Sequence, residues 1–227
     1  MSTRIIAVRH GYSVSNEQKF FAGQLDVDLT DKGISQAEAC GAFFDCAYGE
    51  SDTLTVENTA FERPSAIYAS DLARTYRTAQ PIARALGLEI IRAEELREVN
   101  SGEWEGVPFL ELDERYAKEY SVWKNDIGRA ECTGGERLCD FASRIERAAR
   151  EIAERHDGEC VVIVTHATPI RVLCTLASGL SPEDMGRISW VSNASVSFFE
   201  LDGEFRLVRS NDTRHLGEMK TDLPRGV

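Results

Sequence analysis

Short apolar runs alternate with amphipathic stretches along the chain. Residues 5–8 and 161–164 are apolar at every position, which is typical of strands buried on both faces of a sheet. The same pattern predicts two more strands and a C-terminal hairpin whose turn contains Asp202 and Gly203. These strands are expected at residues 64–69, 88–91, 195–201 and 205–209.

Apolar residues with helical spacing predict helices between these strands. One helix is expected to begin after the N-cap Thr30 and to run through Phe44. A second is expected to follow a cap at Ser70 or Asp71 and to end at Gly87. Further helices are expected at residues 109–123, at residues 136–156 and directly after His166, and an irregular loop with one short element at residues 48–62.

The alternation of strands and helices favours one α/β domain with a largely parallel sheet. A chain of 227 residues is long enough for one large domain, and we treat residues 1–227 as one unit. Apolar residues make up 42% and charged residues 28% of the chain, which are ordinary values for globular proteins.

The net charge of −12 argues against nucleic acids and anionic membrane surfaces as partners. It also repels anionic substrates, so a phosphate site would need a local basic cluster. The six cysteines form no CxxC pair and no zinc-like spacing with histidine, so we expect buried free thiols. No apolar run approaches about 18 residues, and a strand begins near the N-terminus, so we expect a cytoplasmic protein without a signal peptide.

Two of the four histidines follow the two most apolar strands. His10 comes directly after Arg9 at the end of the first run, and His166 follows the second. Because ligands bind beyond the carboxyl ends of the strands in open α/β sheets, both imidazoles are expected at one binding edge. An imidazole can act as a nucleophile or a base, and a guanidinium pairs with phosphate. Either histidine alone would more often be a hydrogen-bonded structural residue, but the pair favours a functional site.

Arg74 and Glu98 are candidates on weaker grounds. Arg74 lies in the first turn of the helix expected after residues 64–69, on the same side of the sheet. Glu98 lies in a segment with too many carboxylates and glycines to be a simple helix. From spacing alone, each is more typical of a solvated surface charge.

Several short motifs occur together along residues 4 to about 210. They are Arg9-His10-Gly11 with Ser13 and Asn16, residues 21–26, 29–33, 70–74, 96–98 and 102–106, Gly134-Gly135-Glu136, and residues 164–166 with Ile170-Arg171. In content and order they resemble the histidine phosphatase superfamily, in its phosphoglycerate mutase-like group. The resemblance implies a three-layer α/β/α sandwich with a mostly parallel central sheet, a C-terminal hairpin and a helical cap-like insertion at about residues 107–132.

The resemblance also implies roles for individual residues. His10 would be the nucleophile that takes the phosphoryl group, and Glu98 the general acid for the leaving oxygen and then the base for water. The charge around the phosphoryl oxygens would come from Arg9, Arg74 and His166. Asn16 would donate a hydrogen bond, and Ser13 and Gly23 would shape the pocket. Because these arginines and His166 supply positive charge, neither a metal ion nor a cofactor is implied.

The resemblance leaves a phosphatase, a mutase and a binding protein open. Mutases of this group carry a basic insertion that holds a substrate carboxylate and excludes water, whereas residues 107–132 contain more acidic than basic residues and no adjacent arginine pair. We therefore favour a metal-independent phosphomonoesterase that acts through a phosphohistidine on a small phosphorylated metabolite, with a phosphoglycerate mutase as the alternative. A non-catalytic phospho-ligand binding module is less favoured, because the expected reactive residues are all present. The expected partner is this small molecule, without nucleic acid or membrane, and a homodimer stays open.

Overall fold

The computed structural model describes residues 1–221, which form eight strands and seven α-helices. The strands are β1 (Thr3–Arg9), β2 (Thr53–Val56), β3 (Thr59–Glu62), β4 (Ala66–Ala69), β5 (Ile90–Arg92), β6 (Cys160–Thr165), β7 (Val196–Asp202) and β8 (Glu204–Asp212). The helices are α1 (Val14–Gln18), α2 (Asp31–Tyr48), α3 (Ala73–Leu86), α4 (Phe109–Arg115), α5 (Ala117–Asn125), α6 (Leu138–Arg155) and α7 (Ala167–Ala177). In this part of the chain, no helix has the length and apolar character needed to cross a membrane.

One six-stranded sheet, in the order β5-β4-β6-β1-β7-β8, lies at the centre of the fold. Strands β5, β4, β6 and β1 are parallel, β7 is antiparallel to β1, and β8 is antiparallel to β7. Parallel strands need long crossover connections, which the helices provide. The predicted mostly parallel sheet with a C-terminal hairpin is therefore confirmed.

The two faces of the sheet bury alternate residues of the same strands. Ile5 and Ala7 of β1 belong to one core, and Ile6 and Val8 belong to the other. Helices α6 and α7 contribute to the first core, and α2 and α3 contribute to the second. These three layers explain why the runs in β1 and β6 are apolar at every position rather than at alternate ones.

Helix α3 begins without the side-chain cap that we expected. Its N-cap is Leu72, which makes no capping hydrogen bond. Ser70 Oγ instead lies 3.0 Å from Nε2 of His166, and the Asp71 carboxylate pairs with Arg97. The predicted cap was wrong because both polar side chains have tertiary partners, which spacing along the chain does not reveal.

The apolar pattern over residues 109–123 is divided between two helices, where we expected one. Tyr116 ends α4 and precedes α5, with φ −132° and ψ 37°. Its ring packs against Trp104, with the centroids 6.2 Å apart, and its hydroxyl donates to a carboxylate oxygen of Glu103 at 3.2 Å. These contacts hold the break in place.

Residues 48–62 contain the hairpin β2–β3, which forms a separate two-stranded sheet, rather than the single short element that we expected. Its turn residues, Glu57 and Asn58, both have positive φ (45° and 63°), as a type I′ turn requires. Glutamate is not a typical residue for such a turn, so the sequence carries little signal for it.

All six cysteines are free thiols, and the expected burial holds for four of them. Cys40, Cys132, Cys160 and Cys174 are buried, whereas Cys46 is exposed and Cys139 is half-buried. Burial raises the pKa of Cys40 and Cys174 to about 12, so these thiols stay protonated and pack as small apolar side chains.

The N-terminus of α2 lies against the segment that follows His10. The predicted N-cap is confirmed, since Thr30 Oγ1 accepts a hydrogen bond from Gly33 N–H at 3.2 Å. A Cβ on Gly33 would lie 2.1 Å from the carbonyl oxygen of Tyr12. That oxygen already accepts hydrogen bonds from the amide and the hydroxyl of Thr30, both at 3.0 Å, so it is not free to move. Gly11 is equally close-packed, because its Cβ would lie 2.5 Å from the carbonyl oxygen of Gly33.

We expect Gly33→Ala to destabilise the protein. Alanine would favour the helix by about 1 kcal/mol, but overpacking against a fixed backbone oxygen typically costs about 1–3 kcal/mol, so the net change should be a lower free energy of unfolding. The measurement is the urea unfolding midpoint. Gly186→Ala is the matched control, because a Cβ on Gly186 meets nothing within 4 Å. Equal midpoints for the two variants would contradict the prediction.

Candidate active site

His10 and His166 lie side by side just beyond the carboxyl ends of β1 and β6. These strands are parallel neighbours, and the His10 amide donates to the carbonyl oxygen of Thr165 at 2.9 Å. The two ring centroids are 5.2 Å apart, with an interplanar angle of 65°. His10 is 5% exposed and His166 is fully buried. The sheet therefore brings together the two imidazoles that the sequence pattern placed at one edge.

Hydrogen bonds fix opposite tautomers for the two rings. Nδ1 of His10 is 2.7 Å from the carbonyl oxygen of Gly11, which can only accept, so Nδ1 carries the hydrogen and Nε2 keeps a lone pair. Nδ1 of His166 is 3.2 Å from Nε of Arg74, which can only donate, so this Nδ1 accepts. Nε2 of His166 then donates to Ser70 Oγ at 3.0 Å. His10 is thus the ring whose Nε2 can react with a ligand.

Both rings are held in the neutral form by their surroundings. Burial lowers the pKa of His10 well below its ordinary value, and repulsion from Arg74 and Arg9 lowers it further. Burial and then repulsion from Arg74 lower the pKa of His166 in the same way. A neutral imidazole is the nucleophilic form, so His10 stays competent at a pH where a free histidine would be protonated.

Arg9 and Arg74 place two guanidiniums next to these rings. Arg9 is 6% and Arg74 is 1% exposed, and burial lowers the pKa of each to about 10, so both are charged at neutral pH. Arg9 donates to the carbonyl oxygen of Val191 at 2.6 Å, and Arg74 donates to those of Gly23 and Leu25, both at 2.8 Å.

Neither guanidinium forms an ion pair with a carboxylate among residues 1–221. The buried Nε of Arg9 also has no hydrogen-bond partner among them. An unpaired buried cation is costly, and so is an unsatisfied buried donor. The two arginines therefore favour the binding of an anion at this place.

Only one of the four glutamates between residues 95 and 105 lies on the wall of the cavity that contains His10, and that is Glu98. One of its carboxylate oxygens accepts from the amide of Val99 at 2.9 Å. The other accepts from the amide of Thr168 at 3.3 Å, in the first turn of α7. The carboxyl group is thus fixed at the positive end of a helix, on the same cavity as the histidine.

Arg144 of α6 holds the segment that carries Glu98, and the sequence analysis gave it no role. Its guanidinium donates to the carbonyl oxygens of Glu95 at 2.8 Å, Arg97 at 3.1 Å and Glu98 at 3.4 Å. It also forms two hydrogen bonds, at 2.9 and 2.8 Å, with the carboxylate of Glu136. Nothing in its spacing distinguishes it from a surface arginine, so no local signal could have identified it.

Asn16 lies on the cavity wall, and Ser13 lies directly behind it. The two residues form a capping box at α1, in which the Ser13 amide donates to Oδ1 of Asn16 at 3.1 Å. Oδ1 of Asn16 also accepts from Nδ2 of Asn193 at 2.9 Å. Because these donors converge on Oδ1, the NH₂ group of Asn16 is the one left to donate to a ligand.

Asn193 is a buried residue of the cavity wall that the sequence analysis missed. Its Nδ2 is 3.3 Å from the carbonyl oxygen of His10 and 3.4 Å from that of Gly11, while its Oδ1 accepts from the Thr221 hydroxyl at 3.2 Å. The next residue, Ala194, has a left-handed φ of 54° and donates its amide to the His10 carbonyl at 3.1 Å. Such strain in a non-glycine residue is typical of functional sites.

Gly23 supplies one of the two carbonyls that hold Arg74. Its φ is +49°, and a Cβ there would lie 2.0 Å from Ser101 Oγ and 2.4 Å from a carboxylate oxygen of Glu105. Any larger residue would therefore displace the carbonyl from the guanidinium.

Six of the eight residues assigned to the site from the sequence line one cavity of about 700 Å³. They are Arg9, His10, Asn16, Gly23, Arg74 and Glu98. His166 and Ser13 lie behind the wall, where they contact Arg74 and Asn16. Among residues 1–221, no group of three or more histidine, cysteine or carboxylate side chains could hold a metal ion. A neutral imidazole, two cations and a carboxyl group on one cavity suit the transfer of a phosphoryl group.

A profile of the histidine phosphatase superfamily (branch 1) matches residues 5–213. Phosphoserine phosphatase 1 of Hydrogenobacter thermophilus is 29% identical over 225 residues, which cover 99% of each chain. The metal-independent phosphoserine phosphatase of Arabidopsis thaliana is 31% identical over 220 residues, which cover 96% of this chain and 84% of that protein. The 2,3-bisphosphoglycerate-dependent phosphoglycerate mutase 2 of Gloeobacter violaceus is 30% identical over 213 residues, which cover 90% of this chain and 89% of that protein.

The solved structure of YhfR from Bacillus stearothermophilus superposes on this fold with a TM-score of 0.83 at 26% identity, and the match covers 94% of this chain and 99% of that one. The chain therefore belongs to the histidine phosphatase superfamily.

We expect the free energy of unfolding to fall as the pH drops below about 6.5, the ordinary pKa of histidine. His10, His166 and His215 all have lowered pKa values in the folded protein, chiefly because they are buried, so the unfolded chain takes up their protons first. Each can contribute a slope of up to about 1.4 kcal/mol per pH unit. Urea unfolding between about pH 7 and 5, in phosphate-free buffer, measures the slope.

His166→Gln removes one of these groups and should make the slope smaller. A free energy of unfolding that stays constant over this range would contradict the assignment of neutral, buried imidazoles.

Proposed function

We propose that this chain hydrolyses phosphate monoesters of small metabolites through a phosphohistidine at His10, without a metal ion. One observation carries the proposal: a neutral imidazole with a free Nε2 lies beside two buried guanidiniums, of Arg9 and Arg74, that have no carboxylate partner among residues 1–221. A phosphate dianion would balance both charges and bring its phosphorus to Nε2. The names of the similar phosphatases support the same chemistry.

In the first step, Nε2 of His10 attacks the phosphorus atom. The N–P bond forms as the P–O bond to the alcohol breaks, and the ring becomes positively charged. The hydrogen stays on Nδ1, and its hydrogen bond to the carbonyl oxygen of Gly11 stabilises that charge. Arg9, Arg74 and the NH₂ group of Asn16 face the phosphoryl oxygens and balance their charge, and His166 orients Arg74 through the bond at Nδ1.

Glu98 is the proton donor in this step. In its acid form it gives a proton to the leaving oxygen, so that a neutral alcohol departs. As a carboxylate it then takes a proton from water, the water oxygen attacks phosphorus, and the N–P bond breaks to release inorganic phosphate and neutral His10. Two backbone amides, of Val99 and Thr168, hold the carboxyl group for both tasks.

The basic side chains within residues 107–132 favour hydrolysis over the mutase reaction. The mutase reaction stays the alternative because a phosphoglycerate mutase is among the similar proteins. Arg115, Lys124 and Arg129 pair with carboxylates of Glu111, Asp113 and Asp126. Lys118 is exposed, and none of the four basic residues lies on the cavity wall. This segment therefore offers no cation to hold a second acidic group of a phosphoglycerate while water is excluded.

We also propose that the chain is a single domain in which residues 107–132 act as a cap over the cavity. Backbone hydrogen bonds join this segment to the chain after α1, from Phe109 N–H to the Lys19 carbonyl and from Phe21 N–H to the Val107 carbonyl, both at 3.0 Å. This connection supports the role of residues 107–132 as a cap over the cavity. A homodimer and a cytoplasmic location stay predictions from the sequence.

We expect His10→Ala to abolish phosphate release. Rapid acid-free quenching of the wild-type protein with ³²P-labelled substrate should trap phosphate that is stable in base and labile in acid, because a phosphoramidate forms at Nε2. Activity should be unchanged by a chelator. His156→Ala, on a histidine away from the cavity, is the matched control and should keep full activity.

Trapped phosphate on His10→Ala, or a requirement for a divalent ion after chelation, would refute this mechanism. With 3-phosphoglycerate as the substrate, isomerisation faster than phosphate release would instead favour the mutase.

Glu98→Gln should slow phosphorylation of His10 most for poor leaving groups. A positioned acid contributes about 10²–10⁴ in rate where the leaving oxygen needs a proton, so the loss should approach this range for an alkyl phosphate and be much smaller for p-nitrophenyl phosphate. Single-turnover measurement isolates this step from the later one, in which Glu98 acts as the base. Glu103→Gln is the matched control, since Glu103 is exposed and lies off the cavity wall. Equal losses for both leaving groups would remove Glu98 from the role of acid.

A further inference from the structure

Arg9, His10, Arg74 and Glu98 form the charged floor of the cavity, and the wall beyond it is mainly apolar. Its apolar side chains include Phe20, Phe21, Pro108, Phe109, Leu110 and Trp123, and polar groups such as Gln18 and the hydroxyls of Tyr12 and Tyr120 lie among the other lining residues. Phe21 is the centre of this wall, with ring centroids at 5.0 Å from Trp123 and 5.9 Å from Phe109. A phosphate group occupies only a small part of about 700 Å³, so the rest of a ligand would lie against these rings. Pockets of this size and character hold drug-sized ligands.

Leu110 is exposed at the mouth of the cavity. The residue is 88% exposed, whereas Leu112 two residues later is fully buried. It lines the cavity although it lies in the first turn of α4, on the surface of the segment that covers the site. Leu110 lines the same cavity as Phe109 and Pro108, so it adds to one apolar surface rather than standing alone. A ligand that reached from His10 to Leu110 would cover it.

Apart from the charged floor, two charged side chains line this part of the cavity, Lys19 and Asp113. Both are exposed, and the carboxylate of Asp113 already pairs with the ammonium of Lys124. Exposed charges of this kind contribute only about 0–1 kcal/mol to an ion pair. Their contribution is smaller than that of the apolar wall, because burying one apolar side chain gains about 1.5–3 kcal/mol.

We propose that the cavity selects phosphate monoesters whose alcohol is large, apolar and uncharged, and that it discriminates against compact zwitterionic or acidic monoesters such as phosphoserine and phosphoglycerate. This inference rests on the proposed phosphatase function and specifies its leaving group. The phosphate would lie on the charged floor, and the alcohol would extend along the rings of Phe21 and Phe109 to Leu110. Its apolar surface would replace water along this wall.

The test is the specificity constant kcat/KM for monoesters with similar primary alkoxide leaving groups. Propyl, pentyl and 3-phenylpropyl phosphate differ in apolar surface, while the bond that breaks is the same. Each methylene buried should raise kcat/KM by about fourfold, so the increase from propyl to pentyl phosphate should exceed about tenfold. O-phosphoserine and 3-phosphoglycerate should give lower values than 3-phenylpropyl phosphate.

Leu110→Asn tests the position of the alcohol. The ratio of kcat/KM for 3-phenylpropyl over propyl phosphate should fall by about fivefold or more, because the variant loses the apolar contact of one side chain. Ile34→Asn is the matched control, since Ile34 is also an exposed apolar residue in the first turn of a helix but lies away from the cavity. This control should leave the ratio unchanged.

Lys19→Gln tests the competing class of substrates, which are monoesters of acidic or zwitterionic alcohols. If the cavity selected acidic or zwitterionic alcohols, this variant would lose activity on O-phosphoserine and 3-phosphoglycerate, and these would be the better substrates of the wild-type protein. That result would overturn the proposed substrate class and leave the phosphatase function standing. A flat alkyl series or an unchanged ratio in Leu110→Asn would also overturn it. A protein that releases phosphate from none of the five esters would instead refute the phosphatase function.

Discussion

Two buried guanidiniums set the constraint on which the rest of the site depends. Arg9 and Arg74 are charged and almost inaccessible to solvent, and buried charges are stable only among polar partners. The protein supplies carbonyl groups rather than carboxylates, from Val191 for Arg9 and from Gly23 and Leu25 for Arg74. These carbonyl oxygens accept hydrogen bonds without cancelling the charge, and Nε of Arg9 is left without a partner among residues 1–221. The loops that carry them must therefore be held firmly, and the floor keeps a positive potential for an anion.

The same constraint accounts for two neutral histidines with different chemistry. Burial disfavours a protonated ring here, and repulsion from the two arginines disfavours it further. A neutral ring has one donor and one acceptor, and the two rings use them in opposite senses. His10 donates from Nδ1 to Gly11, which leaves Nε2 free, whereas His166 accepts at Nδ1 from Arg74 and thereby orients it. One residue type, at the ends of two adjacent parallel strands, thus provides both a nucleophile and a support for the cation.

The part of the site that could be predicted from the sequence is the part determined by local pattern. The two histidines each end a run of apolar residues, and that run determines both the strand and the edge at which it ends. Arg74 could be assigned only through the family resemblance, since its spacing is also that of a surface charge. Asn193 was missed because its partners at the site are 177 to 183 residues away along the chain. Arg144 was missed because its role depends on hydrogen bonds to the backbone carbonyls of residues 95–98 and to the carboxylate of Glu136. The break at Tyr116 has the same cause, since its ring and hydroxyl contact residues outside the helix.

Because the protein carries a large net negative charge, its electrostatic repulsion of a substrate depends on how many negative charges the substrate carries. At −12 the protein repels every anion, although at physiological salt the Debye length of about 8 Å confines this repulsion to close approach. For a phosphate group this repulsion is offset at the charged floor of the cavity, because the two guanidiniums of Arg9 and Arg74 outnumber the carboxylate of Glu98. A second acidic group on the alcohol would lie toward the cap, where Asp113 and Lys124 already pair with each other and the exposed Lys19 is screened by water, so it would gain little attraction. An alcohol without charge meets no such repulsion, so the charge distribution and the apolar wall favour the same class of monoester.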